Sequence, residues 1–118
     1  MSLKGKQIRD WKRKTISKLS ETNYVYLMKD KLNYTKIGHA KDPDKRRGTL
    51  MSQDPKIELI KKFKLPNKDV AYRLEKYLHR KYEKHQTETG GEWFSLDSFQ
   101  IQEIIEFVEE QVRVFETN

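Results

Sequence analysis

The sequence predicts an α+β fold, and three observations carry the prediction. Two short runs of β-branched and aromatic residues, 24–28 and 35–39, stand about ten residues apart with polar breakers around them. A third such run follows at 57–65. Apolar residues at helical spacing then occupy the remaining segments, including both ends of the chain.

Each element follows in order. Residues 4–20 are expected to be helical, with Ile8, Trp11 and Leu19 near one face and Ile16 close by. Lys12, Arg13, Lys14 and Lys18 point away. The polar break Ser20-Glu21-Thr22-Asn23 ends this segment, so residues 1–22 read as a basic helical appendage that docks on the domain or on nucleic acid. A frayed basic tail is the plainer alternative. Strands 24–28 and 35–39 form a hairpin with 29–34 as its loop.

Asp42 fits a helix N-cap and Pro43 the first helical position, where the missing N–H is no loss. This helix is expected to run to about Met51. Gly48 weakens it by roughly 1 kcal/mol relative to Ala, while Leu50 and Met51 anchor it and Asp54-Pro55 ends it. The third strand alternates Ile57, Leu59 and, after Ile60, Phe63 and Leu65. Pro66-Asn67 opens a helix expected over 68–84, with Val70, Leu74, Tyr77 and Leu78 as its core stripe. Tyr72, Glu75 and His79 form a second stripe beside it, which alone would read as a wet edge. After a loop at 86–91, residues 92–96 are short and extended. Asp97 or Ser98 caps a last helix, with Ile101, Ile104, Ile105, Val108 and Val112 inward and Glu103, Glu106, Glu109 and Glu110 outward.

The chain has 118 residues, of which 35% are hydrophobic and 36% charged, so one domain with a modest core is expected. The formal charge of +7 is unevenly spread: +6 over residues 1–20, +6 over 21–96 and −5 over 97–118. A basic body with an acidic final helix suits a polyanionic partner such as DNA, with RNA as the alternative. There is no cysteine, which excludes disulfides and thiolate zinc sites. No apolar run approaches the roughly 20 residues that span a bilayer. The basic N-terminus lacks the apolar segment of a signal peptide, so an intracellular protein without a membrane partner is expected. The oligomeric state stays open.

Tyr, Lys, His and Arg gathered on a hairpin and the next helix suggest phosphodiester hydrolysis. That reaction needs a deprotonated water, neutralised phosphate charge and a stabilised leaving oxygen. Tyr26 is the candidate base if a nearby cation lowers its pKa from about 10. Lys36 on the neighbouring strand is the candidate cation, and Arg46 can fork onto phosphate oxygens. Glu75 can hold Mg²⁺ or Mn²⁺ through one carboxylate, since such ions keep several waters. His39 can relay a proton or bind phosphate. Taken singly, Tyr26 reads as a packing residue, Lys36 and Arg46 as solvated charges, and Glu75 as a salt-bridge partner of His79 or Lys76. The functional reading rests on their joint arrangement, which is expected on one concave face with His39 at its rim.

The ordered motifs resemble a GIY-YIG nuclease domain of the compact branch found in phage and viral proteins. Tyr24-Val25-Tyr26 stands for the first motif and Lys36-Ile37-Gly38 for the second. Lys41-Asp42-Pro43-Asp44-Lys45-Arg46, with Leu50 four residues on, is similar to the family's helix. Leu74-Glu75-Lys76-Tyr77-Leu78-His79 is similar to the helix bearing the metal-binding Glu, and Gly91-Glu92-Trp93-Phe94 to the closing motif. Each motif alone is weak; five in order at fitting spacing are fairly specific.

The resemblance implies a three-stranded antiparallel sheet flanked by helices, here with N- and C-terminal helices added. It divides the chain into the appendage at 1–22, a nuclease-like domain at 23–96 and an acidic amphipathic helix at 97–118 packed on that domain. By position, Tyr26 takes the place of the first-motif tyrosine, Arg46 of the phosphate-contacting arginine and Glu75 of the metal ligand. Gly38 takes the place of the glycine that lets the backbone pass close to the site. Two departures matter. Tyr24 replaces the first-motif glycine. Lys36 replaces the second-motif tyrosine, as in restriction enzymes of the superfamily that carry a lysine there and a histidine three positions on; Lys36 and His39 fit that variant, in which Tyr26 is the base. The family's late asparagine is not identifiable. The expected function is a metal-dependent endonuclease acting on DNA. The alternatives are a non-catalytic nucleic-acid-binding module on the same fold, or a protein-interaction domain using the acidic last helix.

Overall fold

A computed structural model describes residues 22–88 and 90–116. The helix expected over 4–20, and with it the basic appendage, lies outside the described residues. Four strands and three α-helices follow in the order β1 (Asn23–Lys29), β2 (Thr35–Ala40), α1 (Pro43–Leu50), β3 (Glu58–Leu65), α2 (Lys68–Lys81), β4 (Trp93–Phe94) and α3 (Ser98–Glu116). A single 3₁₀ turn, Glu83–His85, follows α2, so the helix stops short of the expected residue 84. Tyr82 at its end is buried and gives its hydroxyl hydrogen to Glu103 of α3.

The sheet has strand order β3-β1-β2-β4, and every pairing is antiparallel. It therefore has four strands where three were expected. The extra one, β4, pairs only Thr35 with Phe94 and Lys36 with Trp93. The β1–β2 loop is closed by Asp30, whose Oδ1 accepts from the backbone N–H groups of Leu32 and Tyr34. A bulge sits between Leu27, opposite Lys61, and Met28, opposite Leu59. Ile60 is the extra residue, which accounts for the broken alternation of this strand.

Each helix starts on a side-chain cap. Asp42 accepts from Lys45 N–H ahead of Pro43, and Asn67 accepts from Val70 N–H. Asp97 and Gln100 cap α3 reciprocally, each side-chain oxygen accepting from the other's backbone N–H. α2 and α3 cover one face of the sheet. There Val25, Leu27, Ile37, Phe63 and Leu65 pack with Val70, Leu74 and Leu78 of α2 and Ile104 and Val108 of α3. Ile105 and Val112 are half-buried rather than fully inward, and Gln111 and Phe115 complete the stripe. Tyr77, also half-buried, stacks on Phe107 of α3 at 5.0 Å between ring centroids. α1 lies on the other face. Leu50 at its end packs with the small buried cluster Tyr26, Met28 and Ile57, next to Trp93. Among the described residues no helix is long and apolar enough to cross a membrane.

Candidate active site

The β1–β2 register sets the site. Tyr26 stands opposite Gly38 and Met28 opposite Lys36, so Tyr26 and Lys36 share the α1 face. The Tyr26 ring folds across Gly38. A Cβ placed on that glycine would lie 2.5 Å from Tyr26 Oη, 2.6 Å from its Cζ and 2.8 Å from Glu92 Oε1. Absence of a side chain at Gly38 thus lets a phenol oxygen and a carboxylate oxygen occupy one small space.

Arg46 reaches this space from α1. Its guanidinium is near enough to the Tyr26 hydroxyl to favour the phenolate, and the residue is exposed. The neighbouring Arg47 does something different: its Nε donates to Ile57 O at 3.1 Å and ties α1 to the entry of β3.

Lys36 is buried, not a solvated charge. Its Nζ lies 3.2 Å from Glu92 Oε1 and 5.5 Å from the centroid of the Trp93 ring. The expectation that Lys36 lowers the pKa of Tyr26 is not met, because its charge is directed to Glu92. The Tyr26 phenol is instead pushed up to about 12, chiefly by burial and next by the Glu92 charge. The nearby Arg46 guanidinium opposes this, and Glu75 adds a smaller upward push.

Glu75 and His39 form a second pair. Glu75 is only 3% exposed, so it is not a wet-edge residue, although Tyr72 on the same stripe is exposed. Its Oε1 accepts from His39 Nδ1 at 2.9 Å, while Lys76 Nζ stands 3.8 Å from Oε2. His39 sits edge-on to the Tyr72 ring at 5.8 Å. His79 Nε2 donates to Ile37 O at 2.7 Å and fastens α2 to β2.

His39 pairs with Val25 and so projects to the α2 face, opposite to Tyr26. The five expected residues therefore do not share one face. Tyr26, Lys36 and Arg46 meet with Glu92 on the α1 side. His39 and Glu75 meet on the α2 side, with Glu75 still near enough for its charge to act on the Tyr26 phenol.

Glu92 is the site residue that the sequence reading missed. It was quoted within the Gly91-Glu92-Trp93-Phe94 motif but given no role. A carboxylate just after two glycines and just before the aromatic pair Trp93-Phe94 was the available signal.

Among the described residues no group of three or more His, Asp or Glu side chains is placed to hold a metal. The residues fit a hard divalent ion only in its one-carboxylate form. Glu75 offers Oε2, which has no hydrogen-bond-length contact with Lys76, and the remaining ligands would be waters and substrate oxygens.

Residues 22–109 match the T5orf172 domain. No curated protein and no solved structure is significantly similar to the chain. With the match covering most of its length, the chain belongs to the T5orf172 domain family, a domain related to GIY-YIG nucleases.

Proposed function

We propose that this protein is a metal-dependent endonuclease that hydrolyses phosphodiester bonds in DNA. The observation that carries the reading is the meeting of the Tyr26 hydroxyl, the Arg46 guanidinium and the Glu92 carboxylate over Gly38, with Glu75 close by. Family membership supports it, because the domain is related to nucleases.

Arg46 is the exposed cation of the set and binds the scissile phosphate, donating to the oxygens on which charge develops. Lys36 neutralises Glu92 and holds its carboxylate beside the phenol. Glu75 would hold Mg²⁺ or Mn²⁺, oriented by His39 as its hydrogen-bonded partner. Such an ion supplies positive charge to the phosphate and to the leaving oxygen. Tyr26 is protonated in the free protein near neutral pH. Its hydroxyl orients the attacking water, and Glu92 on the same space takes up the proton.

A second reading, a nucleic-acid-binding module without turnover, is favoured by one observation: Lys36 is paired with Glu92 and Tyr26 is shifted away from the phenolate. Plasmid cleavage with Mg²⁺ and Mn²⁺ separates the two. Wild type should nick DNA, Glu75→Gln should abolish nicking with binding kept, and Arg46→Ala should lose about 10²–10³ in rate. Wild type that binds DNA yet is inert with both metals establishes the binding module.

A further inference from the structure

A cavity of about 720 Å³ opens beside Arg46 on the α1 face. Its walls include Tyr24, Lys41, Lys45, Arg46, Thr49 and Lys62. One carboxylate, Asp42, also lines it, and that side chain is engaged as the cap of α1 through Lys45 N–H. Lys62 Nζ is 2.7 Å from Asp44 Oδ2 and 5.5 Å from the centroid of the Tyr24 ring. Lys62 is thus largely balanced by Asp44. The positive charge offered to a ligand comes from Lys45 and Arg46.

We propose that this cleft is a pocket for one unpaired nucleotide of the DNA strand, adjacent to the phosphate held by Arg46. The proposal rests on the nuclease reading for its order along the strand, and three features point to it. Its volume lies within the range of about 300–1,000 Å³ typical of small-ligand pockets. An aromatic ring beside several cations is the combination that binds single-stranded nucleic acid, with bases stacked on the ring and phosphates on the cations. Tyr24 and Tyr26 lie two residues apart on one face of β1, about 6.6–6.8 Å, which is comparable to one nucleotide step of an extended strand.

Arg46 belongs to both the cleft and the Tyr26 site, so the two ligand groups are neighbours. A base inside an intact duplex is stacked and cannot reach Tyr24; a base outside the stack can. The favoured substrate class is therefore DNA with an unpaired nucleotide, as at a bulge, flap or branch, over continuous duplex. Tyr24 stands where the resembling first motif carries a glycine. The substitution adds the ring that lines the cleft.

The test uses the full chain and synthetic DNA duplexes that carry one bulged 2-aminopurine. Binding is read by anisotropy and stacking by 2-aminopurine emission. Wild type should prefer the bulged duplex over the continuous one, and its emission should be quenched. Tyr24→Leu should lose the quench and weaken bulge binding by about 5- to 100-fold, while Tyr24→Trp retains both and circular dichroism verifies folding. Lys45→Glu should weaken binding to the bulged probe. Equal binding of both duplexes by wild type without quenching overturns the pocket, as does an unchanged quench in Tyr24→Leu. A Tyr24-dependent quench in a protein that cuts no DNA with either metal supports the pocket and overturns the nuclease reading.

Discussion

Gly38→Ala tests the central geometry, with Gly48→Ala as its control. A methyl at position 38 would meet Tyr26 Oη at 2.5 Å and Tyr26 Cζ at 2.6 Å, where ordinary contact begins near 3.4 Å. Something must move by nearly an ångström. The ring has little room, being 1% exposed and packed with Met28 at 0% and Ile57 at 2%. Overpacking of this kind costs about 1–3 kcal/mol, so Tm should fall by about 5–15 °C for a domain of this size. At position 48 a methyl meets nothing within 4 Å. There the helix gains roughly 1 kcal/mol over glycine, so Tm should rise by about 4–8 °C. Far-UV circular dichroism melts of the two variants measure both shifts. Cleavage, once established for wild type, should drop about 100-fold in Gly38→Ala, the scale of a 1 Å misplacement, and persist in Gly48→Ala. A Gly38→Ala protein that melts at or above the wild-type temperature would refute the placement of the Tyr26 ring over the glycine.

Alkaline titration probes Tyr26 directly. Its folded pKa of about 12 exceeds the ordinary value near 10, so its neutral form favours folding below pH 10 and that contribution is lost as pH rises toward 12. The loss is on the order of 2 kcal/mol; Tyr26→Phe should flatten this limb in urea melts, and an identical limb would contradict the assigned shift. Glu92→Gln should destabilise by about 1–2 kcal/mol by removing the partner of buried Lys36, and adding Lys36→Met should recover most of it; additive losses in the double-mutant cycle would mean the pair is not coupled. His39→Ala should cost about 1–3 kcal/mol by stripping buried Glu75 of a donor. Equal stability of His39→Ala and wild type in urea would show that the pair does not hold α2 to β2.

Helix starts were legible because each is written in local chemistry. Asp42-Pro43, Pro66-Asn67 and Asp97 fix caps that depend only on residues within one turn. The broken alternation at Ile60 was visible, but only the pairing with β1 reveals it as a bulge. The segment 92–96 was legible as extended, but its pairing as β4 was not, since its partner lies over 55 residues earlier. Tyr26, Lys36 and Arg46 could be grouped because a hairpin and the helix after it are close in sequence. Glu92 joins them only through the approach of β4 to β2. Glu75 was singled out as a candidate ligand, but its burial was not legible, because a helix pattern cannot reveal that a histidine from another strand will cover it.

That approach also explains how groups from both sheet faces act on one phenol. β4 pairs with β2 only at Thr35 and Lys36, and one further bond, Ile37 N–H to Glu92 O at 3.0 Å, closes the contact. From Gly38 onward, β2 has no β4 residue paired to it. A longer β4 would continue the sheet past Gly38 and place its own side chains between α2 and the Tyr26 face. Stopping it at two residues leaves Glu92 at the strand end, beside Lys36. Glycine at 38 removes the side chain of β2 that would stand against Tyr26. The short strand and the glycine therefore act together, because a side chain at position 38 would fill the space in which the Glu92 carboxylate meets Tyr26.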